Sequence, residues 1–192
     1  MLQSPLDRID WPVTTERLVL RRETPEDLAA IWAYRGRPEV SHWLGTRPPT
    51  FEAFRERYLD PSRAASKLVV LHDGALIGDL MIRIGDAWAQ AEAADRAAGV
   101  EAELGWVFDP AFHGRGLATE AVRAAIGLCF GPLGLRRVTA DCFAENEASW
   151  RLMERLGMRR EAHEVRSSLH TTEGWLDGLR YALLAEEWPV SR

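Results

Sequence analysis

A short loop with two glycines lies between an apolar, strand-like run and a helix-forming segment. The run is ELGWVF (103–108), and PAFHGRGLATEAV (110–122) places Gly114 and Gly116 where the helix should start. Backbone N–H groups at a helix start have no partner within the helix and carry about half a positive charge. Glycines let such a backbone approach a bulky ligand. The loop therefore predicts a phosphate-binding cradle, and an ordinary glycine-containing turn is the alternative.

Two common nucleotide motifs do not fit this loop. A P-loop requires GxxxxGK[ST], and no lysine follows these glycines. A dinucleotide fingerprint requires GxGxxG, but Thr119 stands where the third glycine is needed. That fingerprint also belongs to an early strand–helix unit, whereas several strand-like runs precede this loop. A dinucleotide-dependent oxidoreductase is therefore disfavoured.

The rest of the chain alternates between strand-like and helix-like patterns. They follow the order β-α-α-β-β-β-α-β-α-β-β, which predicts an α/β (mixed α+β) sheet of about seven strands with helices on both faces. The predicted strands are 17–22, 67–72, 75–85, 103–108, 136–144 and two final strands within 158–169 and 179–187. The predicted helices are 24–36, 49–59, one from the loop to about 130, and 146–157. Between two of these strands, the alanine-rich segment 85–99 predicts a short helix, either an exposed insertion or a flap over a site.

Composition restricts the class of protein. The chain has 192 residues and a net charge of −5, and it contains no block rich in lysine or arginine. These features favour one globular domain located in the cytoplasm, and they disfavour nucleic-acid binding. We expect no membrane span and no signal peptide. Cys129 and Cys142 lack metal-ligand spacing, so we expect no metal site and two buried apolar thiols.

The loop resembles that of a known family. HGRGLA (113–118) resembles the pyrophosphate loop of the GNAT N-acetyltransferase superfamily, in which Gln or Arg is followed by x-x-Gly-x-Gly/Ala. Gly116 and Ala118 match the last two fixed positions, and His113 replaces Gln or Arg. The segments TTERLVLRRETPEDLAAIW, AELGWVFDPAFHGRGLATEAV, ENEASWRLMERLGM and YALLAEEW look like the RimJ/RimL branch, the ribosomal-protein N-terminal acetyltransferases. The resemblance covers about residues 14–188, and it implies a single domain over 14–192 after an N-terminal extension at 1–13.

The resemblance implies a GNAT-like acyl-CoA N-acyltransferase fold, a mostly antiparallel sheet with two splayed parallel central strands. Acyl-CoA would lie where the strands at 103–108 and 136–144 splay apart. Its pyrophosphate would bind the backbone N–H groups of 114–118, and its pantetheine would pair with the backbone near Val107, whose N–H would stabilise the oxyanion. The resemblance implies these contacts with acyl-CoA: Trp106, Val107, Phe108, His113, Gly114, Arg115, Gly116, Leu117, Ala118, Thr119, Asn146 and Ser149.

Further roles follow from the same resemblance. Ser149 would give a proton to the departing thiolate, although it can be an ordinary first-turn serine, and Asn146 can be simply a helix N-cap. Glu103 shares a face of its strand with Val107, where a carboxylate can accept the amine's proton. A solvated edge glutamate is the alternative for Glu103, and His163 and His170 are rival bases.

The acceptor is an amine of undetermined identity. Trp32, His42 and Trp43 fall where this superfamily builds its acceptor wall, and core packing is the alternative for the tryptophans. We expect direct transfer of an acetyl or other short acyl group in a ternary complex, to a protein N-terminal α-amine, a small amine or an aminoglycoside-like drug. A chain without an obvious strong base favours α-amines. A non-catalytic CoA-binding or regulatory protein is the alternative function, and a homodimer is compatible with the resemblance.

Overall fold

The computed structural model describes residues 4–58, 60, 63 and 65–189. In these residues the strands are β1 Val13–Thr14, β2 Leu18–Arg22, β3 Lys67–His72, β4 Ala75–Gly85, β5 Glu101–Phe108, β6 Arg137–Phe143, β7 Arg159–His170 and β8 Gly174–Leu184. The helices are α1 Leu28–Arg35, α2 Pro38–Ser41, α3 Phe51–Tyr58, α4 Ala94–Ala97, α5 Leu117–Phe130 and α6 Glu147–Arg155. Among the described helices, none combines the length and apolarity that crossing a bilayer requires.

The strands are hydrogen-bonded in the order β1-β2-β3-β4-β5-β6-β8-β7. Strands β5 and β6 run parallel, while β1/β2, β2/β3, β3/β4, β6/β8 and β7/β8 are antiparallel. The parallel ladder joins Glu101–Glu103 to Arg137–Thr139, so it ends well before the C-terminal ends of both strands. The predicted fold class, a mostly antiparallel mixed sheet with one parallel pair, is confirmed.

The predicted number of about seven strands is wrong, because the sheet has eight. The strand that the sequence did not predict is β1, where Val13 and Thr14 pair with Leu20 and Val19. A strand of two residues is too short to show the alternation of apolar and polar side chains that identifies strands in sequence.

The chain divides into two compact units, one formed by Met1–Arg83 and Gly105–Ala125, the other by Ile84–Leu104 and Ile126–Arg192. In the first unit, α1 and α3 pack on one face of the sheet. Their contacts form a core cluster of Leu28, Ile31, Tyr34, Phe54, Val69 and Val107. Leu68 and Val70, which alternate with Val69 and so point to the opposite face, are also fully buried.

Helix α1 starts later than its sequence pattern predicts. Thr24 and Pro25 begin a 3₁₀ turn over Pro25–Asp27, and the α-helix follows from Leu28. The turn is held by Asp27, whose carboxylate accepts a hydrogen bond of 2.8 Å from the Thr24 N–H. Helix α3 covers most of the predicted 49–59, of which residue 59 lies outside the described residues.

The second unit contains the alanine-rich segment and the C-terminal hairpin. The segment forms a 3₁₀ turn and then α4, and two hydrogen bonds of 2.8 Å close it: Ala87 N–H to Ala97 O, and Gly99 N–H to the Asp86 carboxylate. Strands β7 and β8 form the hairpin, and β8 pairs with β6. The short helix predicted within the alanine-rich segment is present as α4, but most of that segment is irregular.

Candidate active site

The loop between β5 and α5 has the backbone that its glycines suggest. Asp109 caps a 3₁₀ turn over Pro110–Phe112 by accepting a 3.0 Å hydrogen bond from the Ala111 N–H. Gly114 and Gly116 then adopt left-handed conformations, with φ of 73° and 76°. A Cβ added at Gly114 would meet no atom within 4 Å, and one at Gly116 would meet only Arg17 Nη2, at 3.6 Å. The loop therefore faces open space at a helix start, which fits a bulky anion.

Two side chains from the connection between β1 and β2 brace this loop. The Arg17 Nε donates to Glu120 Oε2 at 2.7 Å, and Arg17 Nη1 donates to Arg115 O at 3.0 Å. The Thr15 hydroxyl donates to Glu120 Oε1 at 2.6 Å. Burial would raise the pKa of Glu120, but the hydrogen bonds from Thr15 and Arg17 outweigh burial and hold that pKa below its ordinary value. The loop is thus held in shape by protein contacts alone.

His113 occupies the position at which the family's loop pattern has Gln or Arg. Its Nε2 lies 3.3 Å from Phe108 O, and because a carbonyl oxygen only accepts, Nε2 is the donor. His113 therefore ties the loop back to the end of β5. The next side chain that projects from the loop, Arg115, lies with its guanidinium 5.8 Å from the centre of the Phe112 ring.

The end of β5 packs tightly against β4. Val107 and Phe108 are 8% and 7% exposed, whereas Trp106 is half-buried. A Cβ at Gly78 of β4 would lie 2.4 Å from Phe108 Cδ1 and 2.7 Å from Val107 O. Only glycine fits there, so Gly78 sets the position of these two residues. Its one sequence signal, a glycine inside a strand, indicates close approach of another chain segment.

Asn146 and Ser149 meet at the start of α6 in the second unit. The Asn146 Oδ1 accepts a 3.3 Å hydrogen bond from the Ser149 N–H, so Asn146 is an N-cap. The Ser149 hydroxyl is also hydrogen-bonded to the thiol of Cys142. Burial raises the pKa of Cys142 to about 11, and the bond to Ser149 only partly offsets it. Cys142 is therefore a thiol at neutral pH.

The three candidate bases have different surroundings in this unit. Glu103 lies opposite Thr139 in the parallel ladder, half-buried. His163 Nε2 lies 2.6 Å from Asp177 Oδ2, and the Arg166 N–H, together with His163, lowers the pKa of Asp177. His170, 5% exposed, packs its ring 5.4 Å from that of Phe143. His170 therefore has the environment of a packed histidine.

The aromatic residues predicted for the acceptor wall divide into two groups. Trp32 packs against Phe54 and Phe51, with ring centres 5.2 and 6.4 Å apart, so it extends the core cluster. His42 and Trp43 form an edge-to-face pair with ring centres 4.2 Å apart, and both are half-buried. Trp32 is half-buried as well, so all three side chains retain surface for a ligand.

A buried charged cluster in the first unit escaped the sequence analysis. Asp79, 1% exposed, accepts hydrogen bonds from the Tyr34 hydroxyl at 2.6 Å and Arg35 Nε at 2.7 Å. Burial alone would raise the pKa of Asp79, but the charge and hydrogen bonds of Arg35 outweigh it and lower that pKa. The one sequence signal was an aspartate within the apolar run ALIGDLMI.

Glu23 and Lys67 border the same cluster. Among the described residues, Glu23 Oε2 is a buried side-chain oxygen without a hydrogen-bond partner. Burial, with Asp79 second, raises the pKa of Glu23 to about 7. Burial lowers the pKa of Lys67, whose Nζ lies 5.2 Å from the centre of the Tyr58 ring. These two side chains are thus held where ionisation is costly.

Fold and loop geometry together agree with one family. Residues 17–159 match the family model described as "Acetyltransferase (GNAT) domain", so the chain belongs to the GNAT acetyltransferase family. Members of this family take their acyl group from acetyl-CoA.

Individual relatives support the same assignment. The chain is similar to "Uncharacterized N-acetyltransferase YnaD" of Bacillus subtilis (strain 168), with 28% identity over 181 residues, 92% of this chain and 98% of the relative. It is similar in structure to a GNAT-family acetyltransferase from Bacillus anthracis, with a TM-score of 0.76 and 29% identity over 92% and 99% of the two chains. It shares its fold with Mycobacterium smegmatis RimJ in complex with CoA-disulfide, with a TM-score of 0.74 and 23% identity over 94% and 91%.

Proposed function

We propose that this chain transfers an acetyl or other short acyl group from acyl-CoA to a primary amine, in one step within a ternary complex. The observation that carries the proposal is the loop at the start of α5. Its two left-handed glycines leave open space around them, and protein contacts already hold its shape. Such a loop binds a diphosphate without first having to be ordered, which lowers the entropic cost of binding.

The first unit supplies the donor contacts in this proposal. Backbone N–H groups of 114–118, with the positive end of α5, bind the pyrophosphate. The backbone of 106–108, fixed by Gly78, pairs with the pantetheine arm. The Val107 N–H then stabilises the negative charge that develops on the thioester oxygen, and one such donor typically contributes about 100- to 1,000-fold in rate.

Proton transfers are assigned to the second unit. The attacking amine must lose a proton, for which we retain Glu103 as the base, and the departing thiolate must gain one, for which we retain Ser149. Capping uses Oδ1 of Asn146 and the backbone N–H of Ser149, so the hydroxyl proton, which is directed at the Cys142 thiol, would have to turn to the departing thiolate for this second role. His163 and His170 stay as rival bases.

An α-amine is the acceptor group that we favour. With a pKa of about 7.8, an α-amine is roughly one-seventh neutral at pH 7, whereas a lysine amine of about 10.4 is less than a thousandth neutral. The RimJ/RimL-like segments of the sequence support a protein N-terminus as the carrier of that amine. A small amine is the second acceptor class.

Ligand-dependent thermal unfolding tests the donor site. Acetyl-CoA at 100 times its dissociation constant should stabilise the chain by about 2.7 kcal/mol, while NADH and ATP should not shift the midpoint. Gly116→Trp should abolish the shift. Gly134→Trp is the matched control, because Gly134 is also left-handed and has no neighbour within 4 Å of its added Cβ. No shift with saturating acetyl-CoA would refute the proposal.

Release of free thiol from acetyl-CoA, measured over a panel of amines, separates an enzyme from a non-catalytic CoA-binding protein. We expect release with α-amines, and Ser149→Ala should slow it about 100-fold while acetyl-CoA still produces a thermal shift. Because the capping N–H belongs to the backbone, this variant keeps the α6 cap. A chain that binds acetyl-CoA but releases no thiol with any amine is the regulatory alternative.

A further inference from the structure

Arg115 differs from the other arginines around the loop. Arg17 pairs with Glu120 and Arg37 pairs with Asp109, so both guanidinium charges are balanced by carboxylates. The guanidinium of Arg115 instead lies against the Phe112 ring at 5.8 Å and His72 Nε2 at 3.4 Å. In the part of the chain that the structure describes, no carboxylate lies within ion-pair distance of it. Its charge is therefore left for a ligand.

His72 determines where Arg115 points. Its Nδ1 lies 3.1 Å from Arg17 O, and a carbonyl oxygen only accepts, so Nδ1 carries the proton. In the neutral ring Nε2 then has a lone pair, which accepts from Arg115 Nη2. Asp73 Oδ2 is 3.5 Å from the same nitrogen, on a side chain that is 90% exposed. The His72 side chain is only 12% exposed, so its ring is well placed to support the Arg115 guanidinium.

The position of Arg115 separates it from the diphosphate contacts. Its side chain projects from between the two glycines towards β3 and Phe112, and only its backbone belongs to the cradle. Coenzyme A carries a third phosphate, on the 3′ oxygen of its ribose, outside the diphosphate. An arginine without a carboxylate partner beside the diphosphate cradle matches that dianion in charge and in hydrogen-bond geometry.

We infer that Arg115, positioned by His72, binds the 3′-phosphate of acyl-CoA and makes the chain select this donor over its 3′-dephospho form. The inference rests on the proposed function, because it requires the diphosphate in the glycine loop. Arg115 touches the ligand, and His72 is a positioning residue that acts through it.

The inference is tested by measuring dissociation constants for acetyl-CoA and acetyl-3′-dephospho-CoA with titration calorimetry. The measurements use the full-length wild type and three variants of it, Arg115→Ala, His72→Ala and Arg123→Ala. The wild type should bind acetyl-CoA about tenfold more tightly, as expected for one charge-assisted contact at an exposed site. Arg115→Ala should reduce the ratio below about twofold by weakening acetyl-CoA alone. Arg123, an exposed arginine on α5, controls for the loss of one positive charge.

The positioning role has its own readout. His72→Ala should lower the ratio of the two constants to an intermediate value and leave the constant for the dephospho form unchanged, whereas a merely structural defect would weaken both ligands equally. Equal binding of the two ligands by the wild type, or an unchanged ratio in Arg115→Ala, would overturn the inference while the proposed function stands. Failure of the wild type to bind either ligand would instead refute the proposed function.

Discussion

Two groups of charged residues in the first unit differ in how fully their charges are compensated by neighbouring groups. Around Asp79, the Tyr34 hydroxyl and Arg35 saturate a carboxylate that is 1% exposed. Around Gly116, Arg17 is satisfied by Glu120 but Arg115 retains an unbalanced charge at the surface. Buried ion pairs require full compensation, since an unpaired charge in the interior costs several kcal/mol. Compensation is therefore complete at the buried Asp79, which we interpret as a rigid element, and incomplete at Arg115, where we propose that an anion binds.

The largest expected effect comes from breaking the buried group. Arg35→Met leaves Asp79 with an uncompensated charge, and we expect a loss of about 3–5 kcal/mol in the free energy of unfolding, measured with urea. Tyr34→Phe removes one hydrogen bond to the same carboxylate and should cost about 1–3 kcal/mol. If both variants lose less than about 1 kcal/mol, the group is not the rigid element that the comparison requires.

Glu23→Gln tests the buried group through the pH dependence of the free energy of unfolding. The pKa of Glu23 in the folded chain is about 7, above the ordinary 4.5, so the folded state keeps a proton that the unfolded state releases. The wild type should therefore lose stability as pH rises from about 4.5 to 7, and the glutamine variant should not. We expect the variant to gain about 1–3 kcal/mol relative to wild type between pH 5 and pH 8. Urea denaturation at four pH values measures this, with the exposed Glu92→Gln as control, and parallel curves would contradict it.

The smallest effect on stability is expected at the surface. Arg17 is partly exposed, and its pair with Glu120 should contribute at most about 1 kcal/mol. Arg17→Ala nevertheless removes the hydrogen bond to Arg115 O that braces the loop. We expect acetyl-CoA to bind about three- to tenfold more weakly, with a smaller difference at high salt. An affinity equal to that of the wild type would show that Arg17 does not brace the loop.

The sequence predicted those features that local pattern determines. Apolar alternation located seven of the eight strands, and the glycines at 114 and 116 indicated the left-handed turns that the loop adopts. The two-residue β1 and the 3₁₀ turn before α1 were not predicted, because both are shorter than the repeat that identifies an element. Propensity alone also does not distinguish a 3₁₀ start from an α-helical one.

Contacts between distant residues were the main omission. Asp79 meets Tyr34 and Arg35 across more than forty positions, and Arg115 meets His72 across 43. No spacing in a single sequence encodes such pairs, since they arise only when strands and helices pack. The family pattern indicated where a donor would bind, whereas the pairing of Arg115 with His72, on which our inference rests, became visible only in the fold.

The scarcity of lysine in this chain has a further consequence, because the family uses acetyl-CoA as its acyl donor. Thioesters acylate neutral amines, and a transferase is exposed to its own donor throughout its working life. Lys67 is the single lysine among 24 basic residues, and its amine lies over the Tyr58 ring. All the other basic side chains of that count are guanidinium groups, which stay protonated and do not compete for the acyl group. These guanidinium groups are therefore chemically inert towards acyl-CoA, the donor that we propose for this chain.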